Sequence, residues 1–193
     1  MRTHVALIGL LGCGGLLGLT MGGGCERVVD PQAEQTFRAK LGNTSVTVFP
    51  VFVRDGEQKK YDASAAKQIG DHLTSAELAR VTLSSAEVPI TSAWGMNQAR
   101  MFRDSVADFR TYLKDHPIDT EYALLPEYLI GSRGVVVGVH AYLLEASGPC
   151  AYAIGLNSHH KPFNDVNPKT AEDCTTIVIN VLRAELKPAG RGD

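Results

Sequence analysis

Three stretches rich in strand-forming residues follow one another between residues 121 and 157, and this run constrains the fold more than any other feature of the sequence. The stretches are 121–130, 134–146 and 150–157. Ser147-Gly148-Pro149 is typical of a hairpin turn, so the last two strands are expected to pair antiparallel. A chain with this meander must build a sheet, and the flanking segments must cover it.

The flanking segments alternate between strand and helix patterns. Residues 46–53 are dense in β-branched and aromatic side chains and predict a buried strand, with Pro50 at a bulge or at its end. Apolar residues at three- and four-residue spacing predict further elements. They favour helices over 63–78, over 96–115 and from Thr170 or Asp173 to about Leu186. A short strand is expected at 80–83 or 87–90, and loops at 54–61 and 158–170.

The predicted element order is therefore β-α-β-α-β-β-β-α. Strands separated by helices pair in parallel through right-handed crossovers. The sequence thus predicts one α/β domain over residues 45–187, a mixed sheet of about five strands with three helices packed on it in two or three layers. Residues 188–193 are expected to be a flexible tail.

The first 25 residues have the order of a bacterial export signal. A short basic start precedes the apolar stretch 5–19, and mostly small residues lead directly to Cys25. We therefore predict a lipoprotein signal peptide over residues 1–24 and acylation of Cys25. Leu10-Leu11-Gly12-Cys13 resembles the acylation pattern more closely, but only about seven apolar residues precede it, which is short for this signal. Secretion with cleavage near Gly24 and no lipid is the alternative.

Residues 25–44 are polar and mixed, and predict a tether between the lipid and the domain, with a short helix around 34–41. The membrane is then a partner through the lipid anchor. Glu26 after the cysteine favours the outer membrane, facing the periplasm, by the sorting rule known for such lipoproteins. A net charge of -2 indicates no nucleic-acid partner.

The chain has four cysteines, two of which fall in the predicted domain. Cys150 and Cys174 are an even pair in an exported protein, where an oxidising compartment favours a disulfide between them. Two buried free thiols are the alternative, because cysteine packs well as a small apolar side chain.

Motifs of catalysis are scarce. The sequence contains no Gly-x-Ser-x-Gly elbow and no phosphate-binding loop, and no cofactor is expected. Imidazole and carboxylate groups suit a metal ion such as zinc. The candidate ligands are His140, His159, His160 and Asp165, but their spacing matches no metal-site template, and an exposed polar loop is the alternative.

A partner surface is the remaining candidate site. Trp94 and Met96 would form an exposed apolar patch, or Trp94 would complete the edge of the core. Alternation along the first strand of the meander places Tyr122 and Tyr128 on one face.

The chain also resembles a known group of envelope proteins. A strand closing in Val-Phe-Pro, an amphipathic helix, a long helix and a meander with Ala-Ser-Gly at its hairpin resemble the N-terminal domain of the periplasmic protein TolB. Curli-secretion lipoproteins and lipoprotein activators of penicillin-binding proteins share this architecture, and the resemblance covers residues 45–187. It implies a non-catalytic domain that binds another envelope protein or self-associates. The alternatives are an anchored hydrolase or metal-dependent enzyme using the loop histidines, and a carrier of a small ligand.

Overall fold

The structure, a computed structural model, describes residues 28–56, 58–92, 97–131 and 133–187. Seven strands form one mixed sheet: β1 (Ser45–Val48), β2 (Val51–Asp55), β3 (Gln58–Asp62), β4 (Arg80–Leu83), β5 (Tyr122–Ile130), β6 (Val136–Glu145) and β7 (Cys150–Leu156). Five helices accompany it: α1 (Pro31–Lys40), α2 (Ala63–Ser75), α3 (Gln98–Asp115), α4 (Lys161–Val166) and α5 (Ala171–Glu185). The mixed α/β class is as predicted, and the expected five strands and three helices are roughly right.

The seven strands occupy five positions across the sheet, because two positions are shared. β1 and β2 lie one after the other along the same side of β5, both parallel to it. Val48 pairs with Leu124 and Phe52 pairs with Glu127. Four residue steps from β1 to β2 are therefore opposite three residue steps of β5. The extra residue falls at Phe49-Pro50, where proline cannot donate to the ladder. The predicted strand 46–53 is therefore two strands joined by a bulge.

The outer positions are also divided. β3 pairs antiparallel with β2, and β4 pairs parallel with β1, so both lie at one edge of the sheet. β6 and β7 extend the other side of β5 as the predicted antiparallel meander. The loop expected at 54–61 is wrong, because Asp55-Gly56 turns the chain directly into β3, with a positive φ of 58° at Gly56. The short strand is 80–83, the first of the two alternatives.

One face of the sheet is covered by α1, α2 and α5, and we call the apolar layer beneath these helices the first core. Tyr122 and Tyr128 both point into it, as alternation predicted. α1 lies within the segment expected to be a tether, and its Ala33 and Phe37 are buried against the sheet. The short helix expected around 34–41 within that segment is α1, and its residues 31–40 pack as part of the domain. Thr170 caps α5 and forms a capping box with Asp173.

The opposite face is covered by α3 and by the extended segment 84–92, and we call the layer beneath them the second core. Val106, Phe109 and Leu113 of α3 pack there against Phe49 and Leu125. Tyr61 Oη donates to Val88 O at 2.8 Å and Lys59 Nζ to Ile90 O at 2.7 Å, so β3 holds the extended segment across this face. Helices therefore lie on both faces, in three layers.

The two ends of the sheet carry different features. At the near end, defined by Tyr122, Glu145 and Cys150, the chain enters the fold, because Asp30 N donates to Cys150 O at 2.9 Å. The far end, defined by Ile130 and Val136, lies eight residue steps along β5, about 26 Å away. Among the helices of the described residues, none is long and apolar enough to cross a membrane.

Candidate functional site

Five polar side chains meet on the second face, between the middle of the sheet and its far end, and form what we call the polar cluster. All are buried, and Arg54 and Glu127 are only 1% and 0% exposed. The members are Arg54, Ser92, Glu127, His140 and Tyr142. This is the densest concentration of ionisable groups inside the described part of the chain.

Strand register brings the cluster together. Glu127 of β5 is directly opposite His140 of β6, and Leu125 is opposite Tyr142 two residues further along. Cross-strand neighbours on one face lie close enough for their side chains to interact. Arg54 is at the end of β2, on the other side of β5, and points to the same face as Phe52. Glu127 therefore has a cation on one side and two hydrogen-bonding rings on the other.

Arg54 connects the sheet to the segment above it. Its Nη2 donates to Glu127 Oε1 at 3.1 Å and to Ser92 Oγ at 2.9 Å, and its Nη1 donates to Ser92 O. The Arg54 guanidinium also lies 5.1 Å from the centre of the Phe52 ring. One buried cation thereby fastens the end of segment 84–92 onto the strands.

The second Glu127 oxygen is shared by the two rings. Tyr142 Oη donates to Glu127 Oε2 at 2.6 Å, and His140 Nδ1 lies 3.0 Å from Tyr142 Oη and 3.4 Å from Glu127 Oε2. The Tyr142 hydroxyl donates its hydrogen to the Glu127 carboxylate. The geometry therefore favours a hydrogen on His140 Nδ1, which donates to Tyr142 Oη and Glu127 Oε2. Phe102 of α3 packs edge-on against both rings, with centroids 5.0 and 4.9 Å away.

Electrostatics keep the carboxylate charged. Burial is the largest influence on the Glu127 carboxyl and by itself raises its pKa. The hydrogen bond and charge of His140, with the Tyr142 hydrogen bond and the Arg54 charge, outweigh burial, so the pKa of Glu127 is lowered overall. Burial and the charge of Glu127 raise the pKa of Tyr142 well above its usual value, which keeps it a donor.

The cluster is arranged to hold structure in place. A general base or nucleophile must reach a substrate atom at hydrogen-bonding distance. Here both Glu127 oxygens accept from protein donors, and His140 and Tyr142 are buried under Phe102. The polar groups of the cluster bind one another and Ser92, and Phe102 packs on them. The arrangement therefore joins α3 and segment 84–92 to the sheet.

A second attachment lies beside the first. Gln98, at the start of α3, donates through Nε2 to Val137 O at 3.0 Å and accepts from Asn157 Nδ2 at 2.9 Å. Ser92 and Gln98 are therefore both fixed to the far end of the sheet, on either side of residues 93–96. Trp94 and Met96, the predicted partner patch, lie outside the described residues, as does the predicted lipidation site Cys25.

The predicted metal ligands have other partners. His140 belongs to the polar cluster, His160 Nδ1 lies 2.9 Å from Asn157 Oδ1, and Asp165 accepts from Lys161 Nζ at 2.6 Å. His159 N donates to Asn157 Oδ1 at 3.0 Å, so this histidine is held by its backbone. Within the described ranges, no three His, Cys, Asp or Glu side chains are grouped as metal ligands.

The disulfide expected between Cys150 and Cys174 is wrong. Both residues are buried free thiols. Cys150 packs in the second core, whereas Cys174 of α5 packs in the first core. The sheet lies between them, which is why sequence spacing alone misled the pairing. The structure agrees with the alternative expectation, two buried free thiols.

The space between the sheet and the helices of the first face bears on the carrier hypothesis. An apolar void there, lined by Phe37, Leu73, Tyr152 and Leu182 among others, has a volume of about 10 Å³. That is room for about one water molecule. A well-formed apolar pocket between the sheet and a helix would favour the carrier hypothesis, and this void among the described residues is too small to hold a ligand.

Arg54 and Glu127 were absent from the predicted site residues. Glu127 is a lone charge within 122–130, and Arg54 directly follows the apolar run Val51-Phe52-Val53. Charged residues are almost never fully buried unless they are paired. That pattern was the available signal, but the pairing becomes evident only when the register is known.

Comparison with known proteins gives distant structural likenesses. No family model and no curated protein sequence matches the chain. A solved structure of a PelC dodecamer from Paraburkholderia phytofirmans is 15% identical, with a TM-score of 0.41, over 74% of this chain and 87% of that one. The LpoB C-terminal domain from Salmonella enterica is 13% identical, with a TM-score of 0.33, over 65% and 91%. Likeness at this level assigns neither a family nor a function.

Proposed function

We propose that this chain is a non-catalytic lipoprotein of the bacterial cell envelope that is anchored through Cys25 and binds another envelope protein. The observation that carries the proposal is the export and acylation pattern of residues 1–25, with a packed domain beginning almost at once after it. Val28 and Val29 already pack against the second core, three and four residues after Cys25. A lipid on that cysteine would hold the whole domain at a membrane surface.

The buried chemistry supports a binding role over catalysis. The polar cluster has its charges paired and its hydrogen bonds directed at protein groups, which suits a framework that presents a surface. We infer that this buried ion pair, through its bond to Ser92, gives segment 84–92 one defined position. The segment held here is the one that leads to Trp94 and Met96.

The partner surface belongs at the far end. Val135 lies in the turn between β5 and β6 and is 57% exposed, a large apolar side chain presented to solvent. Gln98, two residues after Met96, binds Val137, two residues after Val135. We propose that Val135, about 26 Å along β5 from the end where the chain enters, belongs to the partner patch that the sequence predicts for Trp94 and Met96.

Site-specific photo-crosslinking in cells tests this patch. A photoreactive residue replaces Val135 in one variant of the full chain and Leu83, which is 48% exposed on edge strand β4, in a matched control. The expected result is a crosslink from position 135, to one envelope protein or to a second copy, that Trp94→Ala abolishes. Crosslinking from position 83 alone, or equally from both positions, would remove the patch.

The anchor and its location have a separate test. Mass spectrometry of the mature protein should find Cys25 as an acylated N-terminus, and density fractionation should recover the protein with the outer membrane, as Glu26 predicts. A chain that keeps Met1, or one that begins near Cys25 without acyl groups, contradicts the anchor.

A further inference from the structure

The connection between the proposed lipid and the folded domain is very short. Asp30 N donates to Cys150 O, and Asp30 Oδ1 accepts from Gln32 N and Ala33 N at 2.8 and 3.0 Å, so the chain is fixed to the near end of the sheet by residue 30. Val28 and Val29 pack against the second core. Three residue steps separate Cys25 from Val28, and they span at most about 11 Å.

A groove with two cations lies where the chain enters. It has a volume of about 530 Å³, and Val28 and Val29 line it together with Arg110 and Lys114 of α3 and the turn between β6 and β7. Arg110 Nε donates to Gly148 O at 2.8 Å, which holds the guanidinium on the groove. Lys114 is exposed, one turn further along the same helix.

The charge of the groove is positive. Among its described lining residues the one carboxylate is Asp30, and that carboxylate is occupied as the cap of α1. Glu145 lies beyond Asp30, in the neighbouring cleft, and accepts from Ser147 Oγ at 3.1 Å. Two long cationic side chains therefore line the same groove as Val28, which is three residues from Cys25 in the sequence.

We propose that Arg110 and Lys114 bind the phosphates of anionic lipid headgroups, so that the domain stands on the membrane with its near end down. This rests on the proposed lipid anchor at Cys25. Acyl chains in the hydrocarbon core put Cys25 at the headgroup layer, which is about 5–8 Å thick on each side of the bilayer. The short connection then keeps both cations within reach of that layer, and phosphate binds guanidinium and ammonium groups.

Amine labelling of the full, acylated chain tests the orientation. The protein is purified in detergent and reconstituted into vesicles of phosphatidylcholine, alone or with phosphatidylglycerol, and the acetylation rate of each lysine is followed by mass spectrometry. Lys161 is the control, because it begins α4 just beyond β7, at the far end, and its side chain is 83% exposed. Lys114 should react at least about fivefold more slowly in the phosphatidylglycerol vesicles than in detergent. Lys161 should be unchanged.

A variant with a longer connection between Cys25 and the domain distinguishes binding to charged headgroups from simple proximity to the membrane. With about twelve Gly and Ser residues inserted between Arg27 and Val28, Lys114 should react at its detergent rate on phosphatidylcholine but remain slowed when phosphatidylglycerol is present. Equal rates on the two vesicles in this variant would overturn the headgroup contact.

Failure of the anchor is recognised separately. A chain without acyl groups that does not float with vesicles overturns the proposed anchor, and this inference with it. An acylated chain that floats, but in which Lys114 and Lys161 slow alike or not at all, overturns the orientation and leaves the anchor standing.

Discussion

At the scale of single residues, Arg54 and Glu127 depend on each other. Both are fully buried, and a charge left without its partner in that position is expensive. We expect Glu127→Gln to lower the free energy of unfolding by about 3–5 kcal/mol, because Arg54 would stay charged with a neutral neighbour. Urea unfolding followed by circular dichroism measures the change.

The control is an ion pair at the surface. Glu34 pairs with Arg38 at 3.0 Å, with both side chains more than a third exposed, so Glu34→Gln should change stability by less than about 0.5 kcal/mol. The double variant Arg54→Met, Glu127→Leu should recover much of the loss, since buried pairs can often be replaced by apolar residues. A loss of under about 1 kcal/mol in Glu127→Gln would contradict a charged, paired Glu127.

The lowered pKa of Glu127 predicts a pH dependence of stability. A carboxyl whose pKa is lower in the folded state stabilises the fold above its unfolded pKa, near the ordinary 4.5, and this contribution is lost as pH falls through the folded pKa. The difference between the unfolding free energies of the wild type and Glu127→Gln should therefore begin to shrink as pH falls below about 4.5, and should vanish below the lower pKa of the folded state. The difference between the two curves isolates Glu127 from the exposed Glu121 and Asp173, whose pKa values are also lowered. A constant difference down to acid pH contradicts the assignment.

The two buried thiols should be unreactive in the folded protein. Burial raises the pKa of Cys150 to about 11 and that of Cys174 to about 12, so hardly any thiolate exists near neutral pH. Titration with Ellman's reagent without reductant should find no thiol in the native mature protein and two in concentrated urea. No thiol in urea would mean that a disulfide exists, and three would mean that Cys25 carries no lipid.

At the scale of elements, α1 behaves as part of the domain. Phe37 is buried in the first core and meets the Tyr122 ring edge-on, with centroids 5.1 Å apart. We expect Phe37→Ala to lower the free energy of unfolding by about 3–5 kcal/mol. Thr36→Ala, on the exposed side of the same helix, should change it by less than about 0.5 kcal/mol. Thermal unfolding measures both changes. Equal and small effects of Phe37→Ala and Thr36→Ala on stability would indicate that residues 31–40 are a tether outside the domain.

The elements that sequence patterns identified are those with a regular buried face. β5, β6 and β7 and the helices α2, α3 and α5 have apolar periodicity and lie within a few residues of their expected bounds. β3 was missed because its Lys59 and Lys60 are exposed at an edge, so its sequence looks like a charged loop. α1, expected around 34–41, begins three residues earlier and has two buried apolar side chains in ten residues. α4 lies in the segment expected to be a loop, and its one buried apolar side chain in six residues supplies no periodic pattern.

The polar cluster was harder to foresee for a different reason. His140 lies on a predicted strand, and nearness in sequence groups it with His159, His160 and Asp165 only as weak candidate metal ligands. Its actual partners, Glu127 and Tyr142, come together through pairing of β5 with β6, and Arg54 arrives from the other side of β5. Contacts of this kind depend on register, which the bulge at Pro50 also shifts.

At the scale of the whole molecule, one sheet supports two cores. Alternate residues of β5 face opposite layers, with Tyr122, Leu124 and Tyr128 in the first core and Ala123, Leu125 and Glu127 facing the second. Loss of either layer exposes one entire face of the same strands to water, so the two layers should unfold together. The buried thiols provide a reporter in each core, Cys174 in the first and Cys150 in the second.

Phe109→Ala tests this cooperativity. Phe109 of α3 is buried in the second core against Phe49, at 5.5 Å between ring centroids, and its truncation should cost about 3–5 kcal/mol. If the cores unfold as one unit, the labelling rates of Cys150 and Cys174 in moderate urea rise by the same factor, although Cys174 is across the sheet from the change. Ile69→Ala in the first core is the reciprocal variant, and exposed Thr111→Ala of α3 the control. Faster labelling of Cys150 alone in Phe109→Ala would show that α3 and segment 84–92 open while the first core stays closed.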